Sequence, residues 1–322
     1  MTQATGSNTA VALFEESAFA TDPGTPAGTK LYVVSSAIRG AQNLIDSNTL
    51  NSNRSRARPG RGNINVSGPI NMEVSAENIG TILKHAMGQV STSGSAPYTH
   101  VLTLGALPTS LLIEHDYGSA ISGSGRYEKF NGLRIGRASF NFPSEGLITA
   151  SFDTVGAKNT LASSALDASL TDNGHTPFSA FQGSFQEGGS SIAYIESATL
   201  EINNDLDESV YAYGGAGQRR AIPEGFSTVS GSITALFESA ALLTKAINDT
   251  ASSLVFTLSR GDGLGSAGNE SIVFEATNLV YERTSAGIEG PRGLRITLPF
   301  KAFRSGSDNG LEVTIKNALS AI

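Results

Sequence analysis

Four histidines, one glycine triad and one arginine cluster are the residues of this chain whose types and spacing suit chemistry. His115-Asp116, in "SLLIEHDYG", is the one adjacent acid–imidazole pair. As a catalytic dyad it needs a nucleophile within reach, and no serine-nucleophile motif or second metal ligand stands at a suitable spacing. Neighbours in a strand also point to opposite faces. His85 sits in a helical stretch, His100 precedes an apolar run, and His175 completes the set. Gly263, Gly265 and Gly268 match the dinucleotide G-x-G-x-x-G spacing, a chemistry that requires a helix N-terminus after the glycines. Here "NESIVFEATNL" follows, a strand pattern, so the triad reads as a hairpin loop. Cysteine is absent, which excludes thiolate metal sites, disulfides and a cysteine nucleophile. Phosphate-loop, zinc-protease and nucleophile-elbow motifs are absent too. No catalytic residue, metal or cofactor is expected.

Arg54, Arg56, Arg58 and Arg61 crowd the polar stretch "NSNRSRARPGRG", and Arg219-Arg220 lie in a later loop. Nucleic-acid binding normally adds interleaved aromatics or a helix that presents the charge. Two readings stand: a solvated loop, or a contact with an acidic surface of another protein. The charge is uneven. Residues 1–160 hold 12 Lys and Arg against 11 Asp and Glu, whereas residues 161–322 hold 10 against 18. Such an acidic half repels phosphate, although acidic surfaces also simply keep proteins in solution. The N-terminal segment lacks the basic start and apolar core of a secretory signal, and no apolar run reaches bilayer-spanning length.

The elements that position these residues recur. Tyr32, Ser35, Leu44 and Ser47 are echoed at Tyr194, Ser197, Leu206 and Ser209 with constant separation. Gly62, Val66, Ser67, Gly68 and Ile70 are echoed at Gly225, Val229, Ser230, Gly231 and Ile233. Thr103-Leu104 then matches Thr257-Leu258, and Gly146-Leu147 matches Gly293-Leu294. Ordered matches of this kind indicate a duplication: residues 1–160 as one domain, 161–187 as a connector with a short helix near 163–170, and 188–322 as a second domain. Each copy reads as a strand, a long polar loop, a second strand, a helix and further strands. The first helix, "AENIGTILKHAMG", has Ser75 as N-cap, Ile79, Ile82, Leu83 and Met87 on one face, and Gly88 as its stop. The second, "SAALLTKAIND", sets Ala240, Leu243 and Ile247 on a comparable stripe.

Alternation makes one face of several strands polar. Asn63, Asn65, Ser67, Asn71 and Glu73 oppose Ile64, Val66, Ile70, Met72 and Val74. Thr149, Ser151 and Asp153 oppose Ile148, Ala150 and Phe152; Thr199, Glu201, Asn203 and Asp205 oppose Leu200, Ile202 and Leu206. Thr228, Ser230 and Ser232 oppose Val229 and Ile233. These faces hold Asn, Ser, Thr and acids, with little lysine or aromatic content. The fold class is mainly β: two tandem β-sandwich domains, each with one flanking α-helix.

Three stretches, "SNTLNSNRSRARPGRGNINVSGPINMEVSAENIGTILKHAMG", "PYTHVLTLG" and "YEKFNGLRIGRASFNFPSEGLITASF", resemble the major tail tube proteins of long-tailed bacteriophages. The resemblance implies a structural, non-enzymatic virion protein, made in the host bacterial cytoplasm. Its subunits would form stacked rings of six-fold or pseudo-six-fold symmetry. Four strands per domain would line a channel for DNA, and the long early loop, with its arginines, would reach a neighbouring ring. Partners implied are the protein itself, a tape-measure protein, a tail terminator and a distal tail protein, with transient passage of double-stranded DNA and no membrane. Barrel geometry agrees. About eight strands close on their own side chains, whereas about twenty-four leave a bore of roughly 38 Å. Three duplicated chains supply that number, joining their strands in one oligomeric β-barrel tube. These polar strand faces are the candidate channel lining. Arg295 and Lys301 fall on a strand of the same kind, so either they pair with acids or the register differs by one. A β-sandwich adhesin or carbohydrate-binding module is the alternative; it would want aromatic platforms, and the chain has no tryptophan.

Overall fold

A computed structural model of the chain describes residues 3–192, 194–288 and 290–322; Met1, Thr2, Ala193 and Glu289 lie outside the described residues. Period-two alternation and glycine turns yield antiparallel β-structure with two short helices. The first half contains β1 (Ala10–Glu16), β2 (Thr29–Leu31), β3 (Ser35–Ser36), β4 (Arg39–Ile45) and β5 (Gly60–Glu73). Helix α1 (Gly80–Met87) follows, then β6 (Gly88–Gly94), β7 (Tyr98–Leu104), β8 (Ser110–Asp116), β9 (Tyr127–Phe142), β10 (Thr149–Gly156) and β11 (Lys158–Ala162). The second half contains β12 (Gly183–Glu187), β13 (Ser190–Ser191), β14 (Ile195–Asn203) and β15 (Thr228–Leu236). After α2 (Ala241–Ile247) come β16 (Ser252–Ser259), β17 (Ser271–Tyr281), β18 (Arg295–Ala302) and β19 (Glu312–Asn317).

One long sheet runs through both halves in the order β4, β5, β10, β9, β14, β15, β18, β17. Only the C-terminal parts of β9 and β17 belong to it. Their N-terminal parts enter two covering sheets, β2-β1-β8-β9-β11 and β13-β12-β16-β17-β19-β7-β6. The order β4-β5-β10-β9 is thus repeated by β14-β15-β18-β17, and β1-β8-β9-β11 by β12-β16-β17-β19. The Thr103-Leu104 match to Thr257-Leu258 falls outside this correspondence: the strand placed like β16 is β8, not β7. Among the described residues the hairpin β6–β7 has no counterpart in the second half. It leaves the first half and adds to β19, where buried His100 directs Nε2–H at Asn317 Oδ1 (3.1 Å) and Leu319 O (3.0 Å).

One apolar cluster fills the space between the long sheet and its covers. Its centre is aromatic: Phe140 meets Phe152 and Phe274, and Phe142 stacks on Phe256 at 5.0 Å. Gly231 is required by close approach. A Cβ there would lie 2.1 Å from the Thr199 carbonyl oxygen and 2.6 Å from the Phe300 ring. Backbone cannot yield as a flexible side chain does, so Gly231→Ala should cost about 1–3 kcal/mol. A lowered denaturant midpoint with an unchanged slope would show it; an unchanged midpoint would contradict it.

The helices differ from expectation in detail. Ser75 is not a cap: its Oγ meets His175 Nδ1 at 3.1 Å, the chain makes a turn, and α1 begins only at Gly80. Ile79, Ile82, Leu83 and Met87 are buried, and Gly88, at φ 108°, ends the helix. In α2 the buried pair is Leu242 and Ala246, while Ile247 is exposed and Ala240 stands at the N-cap. Entry at Ala241 turns that i, i+4 pair onto the sheet; Leu243 packs half-buried against the same core, and Ala240 and Ile247 are left outside. No helix forms over 163–170. Asp167 accepts the backbone N–H of Gly28 (3.0 Å) and Ser169 (2.8 Å), and Glu114 accepts that of Leu166 (2.9 Å), a competition that holds the segment open.

Candidate functional site

The outward face of the long sheet is where the predicted polar residues meet. Register places Glu73, Thr149, Asn141, Thr199 and Ser232 in one row across five strands. The next row is Asn71, Ser151, Ser139, Glu201, Ser230 and Lys301, and the next Asp153, Arg137, Asn203 and Thr228. The strands' other face, with Ile70, Met72, Phe152, Leu200, Ile202 and Ile233, is fully buried. Ser67 and Asn71 are half-buried and Asn63 and Asn65 exposed, so none lies in a dry interior. Asn63 and Asn65 stand apart from the rows, on the outer part of β5 that pairs with β4 alone. Asp205 does not belong to the face. β14 ends at Asn203, whose Oδ1 accepts the Asp205 N–H, and Asp205 turns away at φ 47°.

Hydroxyls and ion pairs cross-link this face. Thr199 Oγ1 and Ser232 Oγ lie 3.0 Å apart, and Thr234 Oγ1 and Thr297 Oγ1 3.1 Å. Arg295 and Lys301 do lie on it, and both have acids: Arg295 Nη2 donates to Glu196 Oε1 at 2.8 Å, and Lys301 Nζ is 3.5 Å from Glu282. Arg137, which the sequence reading passed over, sits between Asp153 (2.9 Å) and Glu201 (3.6 Å). It was readable: Arg137, Ser139 and Asn141 alternate with Ala138, Phe140 and Phe142. The bond from Arg295 holds the Glu196 carboxyl below its usual range and raises the guanidinium in turn. Each of these cations is therefore matched by a carboxylate. The face offers water many hydroxyls and amides, and offers phosphate little unpaired positive charge.

The outer part of β4 from Ala41, the loop after it and the outer part of β5 form an arm that runs on past β10. Arg54, Arg56, Arg58 and Arg61 are exposed along it, Arg56 pairing with Asp46, and Leu50 is 98% exposed. Arg219 behaves differently from its neighbour. It is 5% exposed and donates to Gly156 O (2.7 Å), Glu208 O (2.8 Å) and Asn65 Oδ1 (2.6 Å), pinning the base of the arm. Burial among carbonyls uses its donors, so it is not available for the expected contact outside the chain. Arg220 is exposed. Loop charge alone could not separate the two.

The histidines are scattered. His115 Nε2 meets Ser36 Oγ at 2.8 Å, Asp116 pairs with Arg126, and His85 Nε2 lies 2.8 Å from Glu15. No cluster of three metal-ligating side chains occurs among the described residues. The glycine triad lies in the β16–β17 loop, with strand after it. Glu15 gives a pH prediction. Burial raises its pKa, but hydrogen bonds from His85 and Lys84 outweigh that and bring it to about 2, from 4.5. A depressed carboxylate stabilises the fold above its unfolded pKa and loses that contribution as pH falls toward 2. Its side chain is 47% exposed, so the contribution is about 1 kcal/mol or less. Glu15→Gln should reduce stability at neutral pH by that amount and converge with the parent near pH 2. A constant gap in denaturation midpoint across this range would refute it.

A family model described as phage tail tube protein matches residues 6–302, nearly the whole chain. The chain belongs to that family. As a phage tail tube protein it is a structural component of the virion tail, and the match favours that role over the sugar-binding reading. Comparison with individually curated proteins finds no match. Among the described residues, no helix is long and apolar enough to cross a membrane.

Proposed function

We propose that this tube protein supplies two tube domains per chain, residues 1–160 and 188–322 joined by 161–187. Three chains close into a pseudo-six-fold ring, and rings stack head to tail. The observation that carries this is the long sheet: eight strands in two repeats of one pairing order, apolar on one side and hydrated on the other, ending at β4 and β17. A sheet of this kind is too narrow to enclose a channel by itself, and three of them suffice. Its wet face lines the bore, through which double-stranded DNA passes with few phosphate contacts to retard it. The exposed arginines of the arm, with Arg220, meet the acidic surface of the next ring. Tape-measure, terminator and distal tail proteins engage the bore and the two ends. The protein performs no catalysis.

Electron microscopy of the purified protein under assembly conditions tests the reading. Open rings or tubes, with three chains per ring by native mass, are expected; monomers under all conditions, or closed rings without a bore, would sink it.

A further inference from the structure

The junction between the two halves shows how one sheet edge receives the next. There β14 lies along β9 with Asn203 opposite Arg137 and Glu201 opposite Ser139. Arg137 reaches diagonally to Glu201, Nη1 to Oε2 at 3.6 Å. Register through the neighbouring strands identifies the corresponding residues at the outer edges. Arg39 stands opposite Ser67 as Glu201 stands opposite Ser230, and Ala41 opposite Asn65 as Asn203 opposite Thr228. At the far end, Tyr281 pairs with Phe300 and the Glu282 N–H donates to Pro299 O at 2.8 Å. Pro299 faces Ser232 as Asp153 faces Pro69, and Asp153 pairs with Arg137. Glu282 therefore holds the place of Arg137, and Arg39 the place of Glu201. The signs are reversed.

We infer that β4 of one copy docks against the segment following β17 of the next, with Ala41 opposite Glu282 and Arg39 reaching Glu282. The occupant is a second copy of this chain, so the inference rests on the ring reading above. Both edges are open for it. β4 has β5 as its ladder partner, and residues 283–288 belong to no strand among the described residues. Arg39, Ala41 and Glu282 are exposed, and Arg39 makes no ion pair among the described residues.

The reversal governs which edges meet. β4 offered to the β9 edge would set Arg39 against Arg137, and β14 offered to the β17 edge would set Glu201 against Glu282. Each wrong seam juxtaposes like charges and each right one opposite charges. The first half's edge is thereby directed to the second half of another chain, so the ring closes on whole chains.

Charge exchange tests the pair. Arg39→Glu and Glu282→Arg should each raise the concentration needed for half-assembly into rings about tenfold or more, and the double variant should recover most of that loss. Circular dichroism should stay unchanged, since both residues are exposed. Because the chain has no cysteine, Ala41→Cys with Glu282→Cys provides a second readout: oxidised rings should yield reducible covalent oligomers. Parent rings with neither rescue nor cross-linking would overturn the seam and leave the ring reading intact. A parent that forms no ring would overturn both.

Discussion

Phe142→Ala is expected to cost about 3–5 kcal/mol of stability, as truncation of a buried aromatic that leaves a cavity does. Phe142 belongs to the first half, on β9, yet its ring packs in the second: on Phe256 at 5.0 Å, Phe274 at 5.6 Å and Phe185 at 6.3 Å. Its exposure is 2%. The cavity would open where the long sheet meets the second covering sheet, and β14 pairs with the same stretch of β9. Denaturant unfolding should therefore keep one cooperative transition with a lower midpoint. Phe181→Ala, at a ring 96% exposed, is the control and should change stability by less than about 0.5 kcal/mol. A Phe142→Ala protein as stable as the parent, or one that unfolds in two separate steps, would count against a core shared by both halves.

A second large effect is expected on the face proposed to line the bore. Ser151→Arg with Ser230→Arg adds two cations to a row that already holds Lys301 and whose one carboxylate, Glu201, is already shared with Arg137 at 3.6 Å, so positive charge exceeds negative there. In the proposed three-chain rings those charges would recur at every level, and each phosphate contact would add attraction that salt weakens. DNA release from triggered particles should slow by a factor on the order of 10³ or more at low salt, with recovery as salt rises. Ser151→Asp with Ser230→Asp should release at the parental rate. Since all these side chains point away from the core, tube assembly should proceed in both variants. Unchanged release by the arginine variant at low salt would mean that this face does not line the DNA path.

Much of the face was legible because period-two alternation is local: Ile70 and Met72 inward, Asn71 and Glu73 outward needs only the strand's own pleat. Asp205 was misplaced because alternation says nothing about where a strand stops. The chain leaves β14 through a left-handed residue instead of continuing. Arg219 and Arg220 are the same residue type side by side; only long-range packing against Val66 and Gly156 decides which one is buried. Ser75 has the right identity for an N-cap, but its hydroxyl found His175, far along the chain. The Thr103-Leu104 echo misled for a related reason. A shared dipeptide reports a strand, whereas its place in the sheet depends on partners that lie beyond any sequence window.

The hairpin that crosses to β19 has a consequence for biosynthesis. Tyr98–Leu104 leaves the ribosome well before its strand partner Glu312–Asn317 has been translated. Until then His100 lacks Asn317, and the carbonyl of Ala76, at the entry to α1, lacks the amide it accepts. Nascent chains that stop short of Asn317 therefore remain unfinished at a buried polar site, a built-in delay that withholds completion of the fold until that last strand has been made.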